Sequence, residues 1–342
     1  MSKYNEGEIY LINEIDYPSR LRTNFYKIGL VHYSDDRNSE TRLLEHQTGN
    51  PRRLVIAPAG VLQTQAVDLV EAQLHKFFAT KRIFGEWFEF LNEEELAGVM
   101  KQARIYSEEV NRRLTLFKEA NAFRIKDSNG DKIPATPEVL EKAERCAQYK
   151  AQVSKCVELL DRIEVILTIK HEAGADVDKV ARASVRKYAP RLNEKLLKEE
   201  QFEIWQKYLK DSVKRNHTFR PTLGAASVSE LDPEFQAKLN ELNSIVDEVE
   251  SGDELYKLVD ANLELTHLKA VAQWEADVIT AELQIATGLN DGITGVSSWV
   301  RADVPERIFD EEWFASENPE LAHEYAKPER VTSKLKVNKT KS

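Results

Sequence analysis

At Asn92 the hydrophobic pattern of this chain changes period, and that change restricts its possible folds more than any other feature. Before it, short apolar runs alternate with turns. EIYLINEI and NFYKIGLV read as two strands joined by the polar stretch DYPSRLRT, so they predict a hairpin. Ser39 is the expected N-cap of a short helix, SETRLLEHQ, which Gly49 and Pro51 stop. RLVIAPAG is a third strand. From Thr64 the spacing turns helical, with Val67, Val70, Leu74 and Phe77 recurring at three and four residues. GEWFEFL closes the region as a last strand, with Trp87 and Phe88 in its core. The order ββαβαβ predicts a small domain with a three- to four-stranded mixed sheet flanked by helices, over residues 1–91.

After Asn92, long charged helices replace the strands, and the whole reads as an α+β chain with a mainly α-helical second part. One helix follows Asn92, and another opens with Thr136 as N-cap and Pro137 in its first turn. Between them FRIKDSNGDKI carries an Asn-Gly turn, which predicts a hairpin near 123–133 within a helical region, 92–215. The same stretch sets Asp127, Asn129, Asp131 and Glu138 at calcium-loop spacing. That pattern fails where Lys132 replaces the loop glycine and Pro134 an apolar residue. Residues 216–233 read as a linker. In 234–287, Phe235, Leu239, Leu242, Val246 and Val249 repeat like one seam of a coiled coil or helical pair, and this predicts a homodimer or a protein partner. The mixed tail, 288–342, ends in six basic residues against Glu329 alone, and it reads as a mobile end able to touch polyanions. The segment 178–198, with Lys179, Arg182, Arg186, Lys187, Arg191, Lys195 and Lys198, reads as a basic helix, either solvated or laid on a DNA backbone.

The net charge of −10 is unevenly spread. Residues 1–90 hold 11 basic against 12 acidic residues, so the acidity lies mostly in the second part and a basic face remains open to the first. No membrane-spanning run or secretion signal is recognised, and the expected location is the cytoplasm. Cys146 and Cys156, ten apart in one helical pattern, suggest neither a disulfide framework nor a zinc site.

A lysine inside the apolar run FYKIGL needs a reason. On a hairpin, Tyr10 shares a face with Ile12, and Lys27 shares one with Phe25 and Gly29, so a phenol can lie beside an ammonium. Arg42 begins the next helix, and His46 sits one turn on. Glu71 borders the apolar stripe of the following helix, with His75 one turn later. Tyrosine, lysine, arginine and glutamate on one sheet make a kit for phosphodiester hydrolysis. In such a kit a carboxylate can hold a single Mg²⁺ (or Mn²⁺), a guanidinium can meet developing charge, and a phenol, its pKa lowered by lysine and metal, can activate water. Taken singly, each of these residues is more commonly a core or surface side chain.

GEIYLI, YKIG, TRLLEHQTGNP, EAQLHKFF and GEWFEF, in this order over residues 7–90, resemble the GIY-YIG nuclease superfamily in its phage-type T5orf172 branch. The resemblance implies a metal-dependent endonuclease acting on DNA, RNA remaining an alternative substrate, in phage or prophage DNA processing or phage–host conflict within a bacterial host cell. It matches Tyr10 to the first-motif tyrosine, Arg42 to the helix arginine and Glu71 to the metal ligand. The second-motif tyrosine falls between Tyr26 and Lys27. The first motif lacks its glycine unless Gly7 is counted one position early. His75 and His46 are expected either to assist proton transfer or hydrogen-bond a phosphate, or to pack. Arg52, Arg53, Lys81 and Arg82, in turns near the sheet, are the expected phosphate contacts. The competing expectation is a degenerate module of the same fold that binds nucleic acid or a partner without cutting. Farther on, LTHLKAVAQWEADVITAELQIATGLNDG, SSWV and FDEEWFASENPELAHEYAKP are similar to the tail of YqaJ-type phage recombination exonucleases, which implies a phage DNA-processing setting and no catalytic residue.

Overall fold

A computed structural model describes residues 4–33, 37–48, 50–178, 180–252 and 254–337. The front of the chain runs β1 (Gly7–Ile15), β2 (Arg22–His32), α1 (Ser39–Gln47), β3 (Arg53–Thr64), α2 (Val67–Phe77), β4 (Arg82–Phe84) and β5 (Trp87–Glu89). Its sheet has five strands in the order β3-β1-β2-β5-β4, every neighbouring pair antiparallel, rather than three or four in a mixed sheet. The extra strand arises because GEWFEF is preceded by a turn. Gly85, at φ 54, occupies the left-handed region that a side chain disfavours, and there the chain reverses between β4 and β5. The cap of α1 is Asn38 rather than Ser39. The Asn38 side chain accepts from the Glu40 and Thr41 amides while the Thr41 hydroxyl reaches back. The Ser39 amide instead donates to Glu8 Oε2 at 2.8 Å, tying the helix to β1. Gly49, expected to stop α1, lies outside the described residues.

The second part runs α3 (Glu93–Arg124), β6 (Lys132–Ile133), α4 (Pro137–Glu172), β7 (Ala181–Tyr188), β8 (Arg191–Leu192), α5 (Glu194–Glu200), α6 (Phe202–Lys207), β9 (Leu209–Asn216), β10 (Arg220–Pro221), α7 (Pro233–Ser251) and α8 (Lys257–Thr287). It ends with β11 (Gly292–Ile293), β12 (Ser297–Ser298), β13 (Ala302–Phe309), α9 (Glu311–Glu317), α10 (Pro319–Glu324), β14 (Ala326–Lys327) and β15 (Arg330–Val337). Among the described residues, no helix is long and apolar enough to cross a membrane.

Several expectations for this part are corrected. The hairpin near 123–133 does not form. β6 pairs in parallel with β11, and the preceding loop is held by turns late in the sequence, the Asn129 amide donating to the Leu289 carbonyl at 3.0 Å. The stretch 216–233 is not a free linker, because β10 joins a small sheet of order β10-β12-β11-β6. The apolar seam of α7 is buried inside the chain against α4 and α8, so it offers no dimer surface. The basic segment 178–198 is mostly not a helix. Ala181, Ala183 and Val185 alternate with Arg182, Ser184 and Arg186, and period two makes this strand β7, paired along its length with β15 of the tail. Lys179, Lys339 and Lys341 lie outside the described residues.

Two features organise the whole. Helix α8 contributes to three cores: Trp274 and Val278 join Ile9, Leu11, Ile28, Val70 and Phe88 under the front sheet, Leu258 and Leu265 join the α4–α7 core, and Ile279 and Leu283 join a third. The boundary expected at 91 is therefore not a boundary of the core. A separate cluster of Leu197, Tyr208, Phe314 and Tyr325 forms a small lobe from α5, α6, α9 and α10. Two independent two-stranded antiparallel ribbons, β7–β15 and β9–β13, lead to it.

Candidate active site

Register places the candidates. Tyr10 lies opposite Gly29, and Ile12 opposite Lys27, so Tyr10 and Lys27 share the sheet face that α1 covers. Gly29 is required there, since a Cβ at that position would lie 2.6 Å from the Tyr10 hydroxyl oxygen. Tyr26 points to the other face, packed 6.0 Å from Phe90 between ring centroids. Of the two candidates for the second-motif position, only Lys27 shares the face of Tyr10.

Tyr10 is 1% exposed and Lys27 2%. The Lys27 ammonium pairs with the Glu86 carboxylate, itself buried at the β4–β5 turn. A charge inside a sheet is tolerable only with such a partner. From α1, His46 Nε2 lies 3.1 Å from the Tyr10 hydroxyl, and the Arg42 guanidinium, paired with Glu45, also reaches the phenol. Burial, chiefly, and then the charge of Glu86 push the Tyr10 pKa well above its usual value, against the opposing pull of Arg42. This corrects the expected lowering by Lys27, whose charge is answered by Glu86. Burial, with Lys27 and Arg42 nearby, lowers the His46 pKa to about 4. His46 is thus neutral near pH 7, its Nε2 within hydrogen-bond reach of the phenol, whose oxygen also accepts from Arg42.

Glu71, on α2, is buried, and its charge contributes to the high Tyr10 pKa. His75 is not brought to this group. It is fully buried, its Nε2 donates to the Ile28 carbonyl at 3.1 Å, and its ring meets Phe88 and His267 edge-on. Burial and the neighbouring His267 and Arg82 hold its pKa far below the usual value, which is the state of a packing histidine. Among the proposed phosphate contacts, Arg82 is turned inward, donating to the His75 carbonyl at 3.2 Å and facing Glu264 at 3.4 Å. Lys81 pairs with Glu95 at 2.7 Å. Arg52 and Arg53 stay exposed at the β3 edge, Arg52 on Glu14 at 2.7 Å.

Glu86 was not legible as a site residue, although its signal matches that of Lys27: each is a charge set in a short apolar strand pattern. A hard carboxylate oxygen from Glu71 suits Mg²⁺, which takes one or two carboxylates and completes its shell with water and substrate phosphate. Among the described residues, no group of three or more His, Cys, Asp or Glu side chains is arranged to hold a metal by itself. No protein-family model matches this chain, and neither the curated proteins nor the solved structures contain a match to it.

Proposed function

We propose that this chain is a metal-dependent endonuclease of the GIY-YIG type, hydrolysing phosphodiester bonds in DNA in a phage or prophage setting. The observation that carries the reading is the convergence of Tyr10, His46, Arg42 and the Lys27–Glu86 pair on one sheet face, with the Glu71 charge felt at the phenol. A phenol hydrogen-bonded to a neutral imidazole is a ready proton relay. Attacking water gives its proton to the Tyr10 oxygen as Tyr10 passes its own to His46 Nε2. The new P–O bond forms while the bond to the leaving sugar oxygen breaks, and that oxygen takes a proton from solvent. Arg42 supplies positive potential to the phosphoryl oxygens, while Lys27, its charge answered by Glu86, holds the sheet face beneath Tyr10. Mg²⁺ or Mn²⁺, with Glu71 as its protein ligand, neutralises phosphate charge when bound.

One observation favours a second reading. Tyr10 and Lys27 are almost wholly covered, and a covered centre suits a degenerate module of this fold that binds without cutting. Cleavage of supercoiled plasmid with Mg²⁺ or Mn²⁺ separates the two. The nuclease reading expects nicking by the native chain, lost in folded Tyr10→Phe and Glu71→Ala. DNA binding with no nicking in either metal would establish the second reading instead.

A further inference from the structure

The β7–β15 ribbon has two chemically distinct faces. Its register sets Arg182 opposite Lys336, Ser184 opposite Lys334, Arg186 opposite Thr332 and Tyr188 opposite Arg330. Because side chains alternate across a strand, all of these lie on one face, which carries five cations and no acid. The phenol of Tyr188 confirms the grouping: hydrogen bonds from Thr332 and Arg186, with Arg330 nearby, hold its pKa below the usual value. The other face is apolar apart from Lys187 and Ser333. At one end of it Ala181, Leu335 and Val337 seat on the α4–α7 core, while farther out Val185 and Val331 are exposed. The ribbon is thus anchored at its base and open to solvent along its outer half. Lys334 meets Glu164 of α4 at 3.7 Å, and Asp178 and Glu329 flank the strands.

The β9–β13 ribbon has the same eight-pair length and the opposite character. Its four cations face three acids, and Arg215–Asp303 at 3.2 Å and Arg307–Asp211 at 3.6 Å pair across the strands. Being surface strands therefore does not by itself explain the unbalanced charge of β7–β15.

We propose that the β7–β15 ribbon is a duplex-DNA binding arm, with Arg182, Arg186, Arg330, Lys334 and Lys336 set against the phosphate backbone. Eight residue pairs span roughly 26 Å, and each rung of this face carries at least one cation, so a positive charge recurs about every 7 Å along the ribbon. A two-stranded ribbon is one of the two elements that the major groove of B-DNA admits. The deep, narrow major groove of duplex RNA excludes it. Single strands are held on successive aromatic platforms, and this face offers Tyr188 alone. The proposal shares only its DNA partner with the nuclease reading, and it is tested without divalent metal so that the two can fail separately.

The test is fluorescence anisotropy of the full chain on a labelled 30-base-pair duplex across a salt series. R182A/R186A/K336A is compared with K210A/K214A/R307A on the balanced ribbon, each confirmed folded by circular dichroism. Each phosphate contact removed lowers the slope of log K against log salt by about 0.9, so the first variant is expected to lose roughly three from the slope with a large loss of affinity. The second is expected to bind like the native chain. Unchanged binding by the first variant, equal losses in both, or tighter native binding to single-stranded DNA or duplex RNA of the same length would each overturn the proposal.

Discussion

The two faces of the front sheet solve the problem of burial in opposite ways. Beneath it, Ile9, Leu11 and Ile28 meet α2, α3 and α8 in an apolar core, where contact and exclusion of water suffice and no particular partner is demanded. Above it, a phenol, an ammonium and a carboxylate are buried, a half-buried imidazole reaches the phenol from one short helix, and each buried group is tolerable only because a specific neighbour answers it. The lower face is redundant. The upper face is a chain of dependencies, so single substitutions there should do damage out of proportion to the area they expose.

The largest effect expected follows from that asymmetry. Glu86→Ala leaves the Lys27 ammonium buried and unpaired, and should cost about 3–5 kcal/mol in urea denaturation. Lys27→Met combined with Glu86→Leu should recover most of the loss; a double variant as unstable as Glu86→Ala alone would mean that packing, not charge, holds this place. On the lower face Leu11→Ala should cost about 2–5 kcal/mol through the cavity it opens. Gly29→Ala inserts a methyl group into the Tyr10 ring and should cost about 1–3 kcal/mol, with a changed tyrosine absorbance as the local readout. The smallest effect is a pH dependence. His46 binds its proton less readily folded than unfolded, so its contribution to stability is complete above pH 6.5 and declines as pH falls towards about 4. Comparing stability across that window in the native chain and His46→Gln should show a shallower slope in the variant; parallel curves would assign the slope to other groups.

The pairing of Tyr10 with Lys27 was legible because a hairpin has period two and few registers, so face follows from position. The choice between Tyr26 and Lys27 needed the register itself. Glu86 was hidden because its partner is 59 residues away and its position depends on the reversal at Gly85. The misreading of 178–198 has a similar origin. Arg182 and Arg186 are spaced for one face of a helix as well as for one face of a strand, and the partner that decides between them begins at Arg330. Between relay and packing, the outcome for His75 depended on His267, which packs on it from a distant helix. Local pattern specified the elements formed by neighbours in sequence, and it failed where long-range pairing decided the outcome.

The sharing of α8 also sets a schedule. Trp274 leaves the ribosome about 180 residues after the front sheet is complete, a wait of roughly 10–40 s at ordinary rates of synthesis. Through that interval the nascent front unit lacks the indole that closes its lower face, so a half-made chain displays an apolar opening that the finished protein never shows.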